Sequence, residues 1–258
     1  MLKAWIISVN MGYGHQRTAF PLRDLAFNGQ VINANDYQGI SDRDRKVWGI
    51  IRITYEFISN FKRIPLIGEL IFAIPDYFQR IVSFYPKKDL SKPSFQGKQI
   101  FSLIKNGWGK DLIEKLERAS REAFSQEGSE SHQKVFKQRH LPLVSAFFTP
   151  AFMADYFNYP GEIFCVICDA DIARAWVSVK PKESRVKYFV PTERVVERLR
   201  LYGVNAKNII FTGYPLPMEN IGGKNMEILK EDLGHRLLNL DPKGRYGYYY
   251  EPLIKKYL

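Results

Sequence analysis

Short apolar runs recur along the chain, separated by stretches of helical periodicity. Trp5-Ile6-Ile7-Ser8-Val9 is the first, and residues 30–36, 141–148, 163–167, 186–190 and 208–212 follow. Such runs suit strands covered on both faces. Between them, Leu112, Ile113, Leu116, Ala119 and Ala123 form a helical stripe over 110–124, and Pro150 opens a short helix through Ala154 and Tyr156. Thr192 and Glu193 begin another helix, which Gly203 ends. Strand and helix alternate. The pattern predicts an α/β fold, a parallel sheet with helices on both faces, whose ligands sit at the carboxyl ends of the strands.

The first run leads into Gly12-Tyr13-Gly14-His15. Two residues without Cβ let a ligand approach the backbone closely, and a helix beginning near Thr18 as N-cap, with Pro21 in its first turn, would add unpaired N–H donors. His15 can exchange a proton near neutrality, or can simply cap the loop. A dinucleotide fingerprint needs a small residue where Arg17 stands, which argues against a nicotinamide cofactor; Asp36, placed to hold a ribose, is the best support for one. Asp169 and Asp171 follow the strand at 163–167 and can serve as base or sugar ligand, or can cap the next turn.

Residues 41–95 differ in character. Val47, Trp48, Ile50, Ile51, Tyr55, Ile58 and Phe61 recur at helical spacing among Arg45, Lys46, Arg52, Lys62 and Arg63, and an aromatic, proline-broken stretch containing Phe72 follows. This is a basic amphipathic insertion. It either packs on the sheet or lies on an anionic membrane, with Trp48, Arg52, Tyr55, Lys62, Arg63 and Phe72 as contacts. Stretches 226–240 and 246–258 read as a helical tail.

With 258 residues, 45% of them hydrophobic, the chain can bury a sizeable core. Its net charge of +11 favours an anionic partner but does not choose among membrane, nucleotide and nucleic acid, and no nucleic-acid-binding module is recognised. No apolar run reaches about 18 residues, so a cytoplasmic, soluble or peripheral protein is expected. The two cysteines, Cys165 and Cys168, lie in an apolar strand without a second ligand pair and read as small buried hydrophobes; no metal site is expected.

The run Met11-Gly12-Tyr13-Gly14-His15-Gln16-Arg17-Thr18-Ala19 resembles the amino-terminal Gly-x-Gly-His motif of the monogalactosyldiacylglycerol synthase and processive diacylglycerol glucosyltransferase family. Cys168-Asp169-Ala170-Asp171 with Trp176, Tyr188-Phe189-Val190-Pro191-Thr192, and Gly203-Val204 with Phe211-Thr212-Gly213-Tyr214-Pro215 agree in kind and order, although Cys168 replaces a threonine. The resemblance spans roughly residues 4–216. It implies the Rossmann-like, acceptor-binding half of a GT-B glycosyltransferase, moving a hexose to a lipid hydroxyl with inversion at the inner face of the plasma membrane. His15 or Asp169 would be the base, and Gly12, Gly14, Asp171 and Trp176 would bind the acceptor. It also implies no cofactor beyond a nucleotide-sugar donor such as UDP-hexose, held mainly by a second domain. Apart from Gly222-Gly223, nothing after Pro215 suggests that domain's glycine loop, so 217–258 is expected to be a linker and the chain to be inactive alone. Two other classes stay open: a non-catalytic membrane-surface module and a dinucleotide-dependent oxidoreductase.

Overall fold

The computed structural model describes residues 3–61, 81–126, 140–241, 243–244 and 251–252, with the side chains of 55–61, 124–126, 237, 238 and 240 left out. Two compact units divide it, Met1–Tyr214 and Pro215–Leu258. In the first, strands β1 (Ala4–Ser8), β2 (Ala26–Asn33), β3 (Leu143–Ser145), β4 (Ile163–Val166), β5 (Lys187–Val190) and β6 (Ile209–Phe211) form one sheet in the order β2-β1-β3-β4-β5-β6. All five pairings are parallel. The fold is therefore α/β and Rossmann-like. Its order reverses between β1 and β3, the switch point at whose carboxyl side such folds bind ligands.

The residues of β1 alternate between two apolar layers, as a strand buried on both faces requires. Trp5, Ile7 and Val9 join the larger core, while Ala4 and Ile6 meet Ala19, Ala26 and Ala146 on the other side. The small layer is covered by α1 (Tyr13–Ala19) and a 3-10 turn, Phe20–Leu25, near whose start Pro21 sits. Facing the large layer are α2 (Asp42–Phe61), α3 (Phe95–Lys105), α4 (Lys110–Gln126), α5 (Phe148–Tyr156) and α6 (Glu193–Leu201), each with residues buried in that core, α3 through Ile104. A buried polar chain ties α4 to the sheet: Trp5 Nε1 donates to Ser120 Oγ (2.8 Å), Ser120 meets the Tyr159 hydroxyl (3.2 Å), and Tyr159 donates to the Leu141 carbonyl (2.6 Å).

The described first part of the basic insertion is the helix α2, but its aromatic anchor faces inward. Trp48, expected at a membrane surface, is 3% exposed and packs edge-on against Trp108 with ring centroids 4.7 Å apart. The reason is periodicity: Asp44, Val47, Trp48 and Ile51 share the face turned to the sheet, whereas Ile50, Arg52 and Ile53 lie exposed on the other side. The Tyr55 side chain, Lys62, Arg63 and Phe72 lie outside the described residues. Asp44, buried itself, accepts the Gly109 N–H at 3.0 Å. Gly109 adopts a left-handed φ of 83°, and a Cβ there would overlap the Met153 sulfur of α5.

In the second unit, α7 (Glu227–Leu240) follows a turn in which Gly223 N–H donates to the Glu227 carboxylate (2.8 Å). Gly222-Gly223 thus serves as a turn before a helix. Most of the stretch 246–258, read as helical, lies outside the described residues; Glu251 and Pro252 are helical.

Candidate active site

Four chain segments meet at the carboxyl side of the switch point. The first begins where β1 ends: Gly12, at φ 119°, a conformation that favours glycine, turns the chain straight into α1. The helix starts at Tyr13, not near Thr18, so Gly14 and His15 occupy its first turn and Thr18 its interior. Thr18 is accordingly no N-cap; its hydroxyl donates back to the Gly14 carbonyl at 2.8 Å. A Cβ on Gly12 or Gly14 would meet nothing within 4 Å, so the space above both is open.

The second segment follows β3. His15 Nδ1 lies 3.0 Å from the Ala146 carbonyl oxygen, joining the two strands that flank the switch. A carbonyl can only accept, so Nδ1 carries the proton and Nε2 keeps the lone pair. Phe147 packs on the imidazole (centroids 4.6 Å apart), with Trp176 6.1 Å away from it and 5.2 Å from Phe148. Trp176, expected to bind acceptor, is 8% exposed and forms the back of this aromatic wall.

Cys168-Asp169 supply the third segment, at the end of β4. The Cys168 sulfur is 3.5 Å from His15 Nδ1. Desolvation lowers the His15 pKa against opposing contributions from the Ala146 carbonyl and the nearby Asp169 carboxylate. Asp169 reaches solvent, yet desolvation raises its pKa, with His15 pulling the other way. Burial also pushes the Cys168 thiol up to about 12, with Asp169 adding to the rise, which makes it a neutral wall and not a thiolate nucleophile. The site therefore holds a neutral imidazole of fixed tautomer beside a carboxylate. That pair can take a proton from a hydroxyl and steady the resulting imidazolium.

Asp171 stands apart from this pair. Its two oxygens accept bonds from Arg198 Nε (2.8 Å) and Nη2 (2.7 Å), from Arg194 Nε (2.6 Å) and from the Ile172 N–H (2.9 Å). Although burial raises its pKa, the two guanidiniums outweigh this and hold it below the usual carboxylate range. The expected acceptor ligand is thus engaged within the protein: Arg198 is fully buried and donates also to the Val82 carbonyl (2.9 Å), and Phe84 lies under both guanidiniums at 4.7 and 4.9 Å.

The fourth segment follows β6, where the Tyr214 hydroxyl lies 2.9 Å from Thr18 Oγ1. Sequence reading singled out neither this contact nor Ala146 and Phe147. The clue to the latter two was their place after a strand that neighbours β1, hidden because 141–148 reads as one continuous apolar run while β3 stops at Ser145. Asp36, the candidate ribose ligand, sits in the turn after β2, with its N–H donating to the Asn33 carbonyl (3.1 Å). Among the described residues, no three His, Cys, Asp or Glu side chains gather as a metal ion would need, and no helix is long and apolar enough to cross a membrane. Comparison with protein-family models, with curated proteins and with solved structures gives no match.

Proposed function

We propose that this chain is the acceptor-binding part of an inverting hexosyltransferase that acts on a lipid hydroxyl. The supporting observation is His15, kept neutral by desolvation, its Nδ1–H directed to Ala146 and Asp169 beside it, at the switch point of a parallel sheet. In this reading His15 Nε2 takes the acceptor proton as the oxygen bonds to the anomeric carbon of a nucleotide-sugar donor such as UDP-hexose. The bond from that carbon to the pyrophosphate breaks on the opposite side, and Asp169 stabilises the imidazolium. Gly12 and Gly14 keep the approach open. Donor binding falls to a second sheet domain, so the unit carrying β1–β6 binds acceptor without transferring sugar.

The exposed Ile50, Arg52 and Ile53 of α2 favour a peripheral position on an anionic membrane, at the cytoplasmic face, where a lipid acceptor is met. The same face would serve a non-catalytic membrane module. The two readings part at His15. Imidazole resonances of His15 should move when the chain meets micelles doped with diacylglycerol and stay still with a lipid lacking a free hydroxyl. In a version joined to a donor-binding domain, His15→Ala should lower transfer roughly 10²- to 10⁴-fold. Near-normal transfer, or resonances indifferent to every hydroxyl lipid, would sink the catalytic reading and leave the module.

A further inference from the structure

We propose that Tyr214 is a positioning residue for His15, holding the imidazole in place through the buried hydroxyl of Thr18, which is bonded to the turn of α1 that carries His15. The inference deepens the reading of His15 as a base and does not depend on what the site transfers. It starts from the path of the chain. Thr212 and Gly213 N–H groups both donate to the Val190 carbonyl at the end of β5 (3.1 and 3.2 Å). Gly213 then takes a left-handed φ of 76°, which turns the chain off the edge strand. In sheet order β6 stands four places from β1, about 19 Å at ordinary strand spacing. The phenol of Tyr214 nevertheless reaches α1, the helix that carries His15.

Donor and acceptor chemistry gives this contact a direction. Thr18 has one hydroxyl proton, and the Gly14 carbonyl, which only accepts, takes it at 2.8 Å. Tyr214 must therefore be the donor in its 2.9 Å contact with Thr18. The Cys168 sulfur lies 3.5 Å from His15 Nδ1. The single Nδ1–H goes to the Ala146 carbonyl, so the sulfur packs beside the ring. The hydroxyl protons of Tyr214 and Thr18 are thereby ordered on the turn of α1 that carries His15, where Thr18 is 0% exposed. Such a series holds the ring against the carbonyl that fixes its tautomer, and the phenol covers the polar floor against water. Removing the Tyr214 hydroxyl leaves the Thr18 lone pair without its donor and admits solvent beside the imidazole.

The experiment follows the four histidines of the full chain by nitrogen-15 imidazole NMR, with His15→Gln to assign His15. Wild-type protein should show Nδ1 protonated and a depressed titration midpoint. Tyr214→Phe, which removes one oxygen atom, should mix the tautomers and move the midpoint up toward the ordinary 6.5. Thr18→Val should do the same, whereas Thr18→Ser, which keeps the hydroxyl, should behave as wild type. Reaction of Cys168 with an uncharged thiol reagent should quicken roughly fivefold in Tyr214→Phe, the factor by which about 1 kcal/mol, one neutral hydrogen bond, shifts a local opening equilibrium. If both Tyr214→Phe and Thr18→Val keep the wild-type tautomer and midpoint, the proposal is overturned. A drop in unfolding midpoint without change at His15 overturns it too, since Tyr214 would then only pack. No sugar or lipid enters these measurements, so a protein that fails to bind any hydroxyl lipid can still pass them.

Discussion

Asp169 and Asp171 flank a single alanine, and their surroundings could hardly differ more. Asp169 has a desolvated imidazole for a neighbour and, among the described residues, no guanidinium bonded to it, so desolvation pushes its carboxyl up. Asp171 is gripped by two arginines from α6 and is pushed down. Proximity in sequence therefore says little about role; the available counter-charge decides it. One carboxylate stays poised for proton chemistry, while the other anchors α6 and the 82–84 segment to the loop that carries both.

Removing the anchor should have the largest effect. Arg198→Ala leaves Asp171 largely buried without its main partner and should cost about 3 kcal/mol of stability, read by urea unfolding. The double change Asp171→Asn with Arg198→Met should lose less than Arg198→Ala alone; an equal or greater loss would deny the cluster its anchoring role.

Acidification should then separate the two carboxylates. His15 has a depressed pKa in the folded state, so its contribution is complete above the unfolded value of about 6.5 and is lost as pH falls through the folded one. Asp169 has a raised folded pKa, so its contribution is complete below the ordinary carboxylate value and is lost as pH rises through the folded one. Asp171 has a lowered folded pKa and contributes stability that disappears only as pH drops below the ordinary value. Melting temperature against pH should accordingly lose its near-neutral arm in His15→Gln and its most acidic arm in Asp171→Asn.

A finer distinction concerns the imidazole itself. Asp169→Asn removes a charge that raises the His15 pKa, so His15 should titrate still lower, while Asp171→Asn should leave its titration where it was. An NMR titration that moves equally in both variants would erase the contrast. The smallest effect is expected at Arg194, whose side chain is 52% exposed: Arg194→Gln should cost less than about 1 kcal/mol in urea unfolding, because solvent screens its share of the pair.

Much of the architecture is legible in the chain. The runs overlap the six strands, most plainly at β1, which is buried along its whole length, while the second, read at 30–36, lies at Ala26–Asn33 on a half-exposed edge; the helix after Thr192 begins where the cap residue predicts, with its hydroxyl accepting the Val195 N–H at 3.2 Å. What escapes is whatever depends on distant partners. The arginines that claim Asp171 lie 23 and 27 residues downstream. Trp48 carries the same local pattern in a core helix as on a lipid surface, and only the presence of Trp108 opposite it decides the matter. The early start of α1 escapes for a local reason: glycines read as loop formers, yet one sets the turn and the other begins the helix.

Gly109 shows how far from His15 the aromatic wall can be adjusted. The thioether of Met153 fills the space where a side chain at position 109 would go, and Met153 belongs to the same short helix as Phe148, which flanks Trp176. Even an alanine at 109 would have to displace that thioether into the packing around the middle of the helix. The joint is in effect a tuning screw for the wall, set at a point no ligand needs to touch.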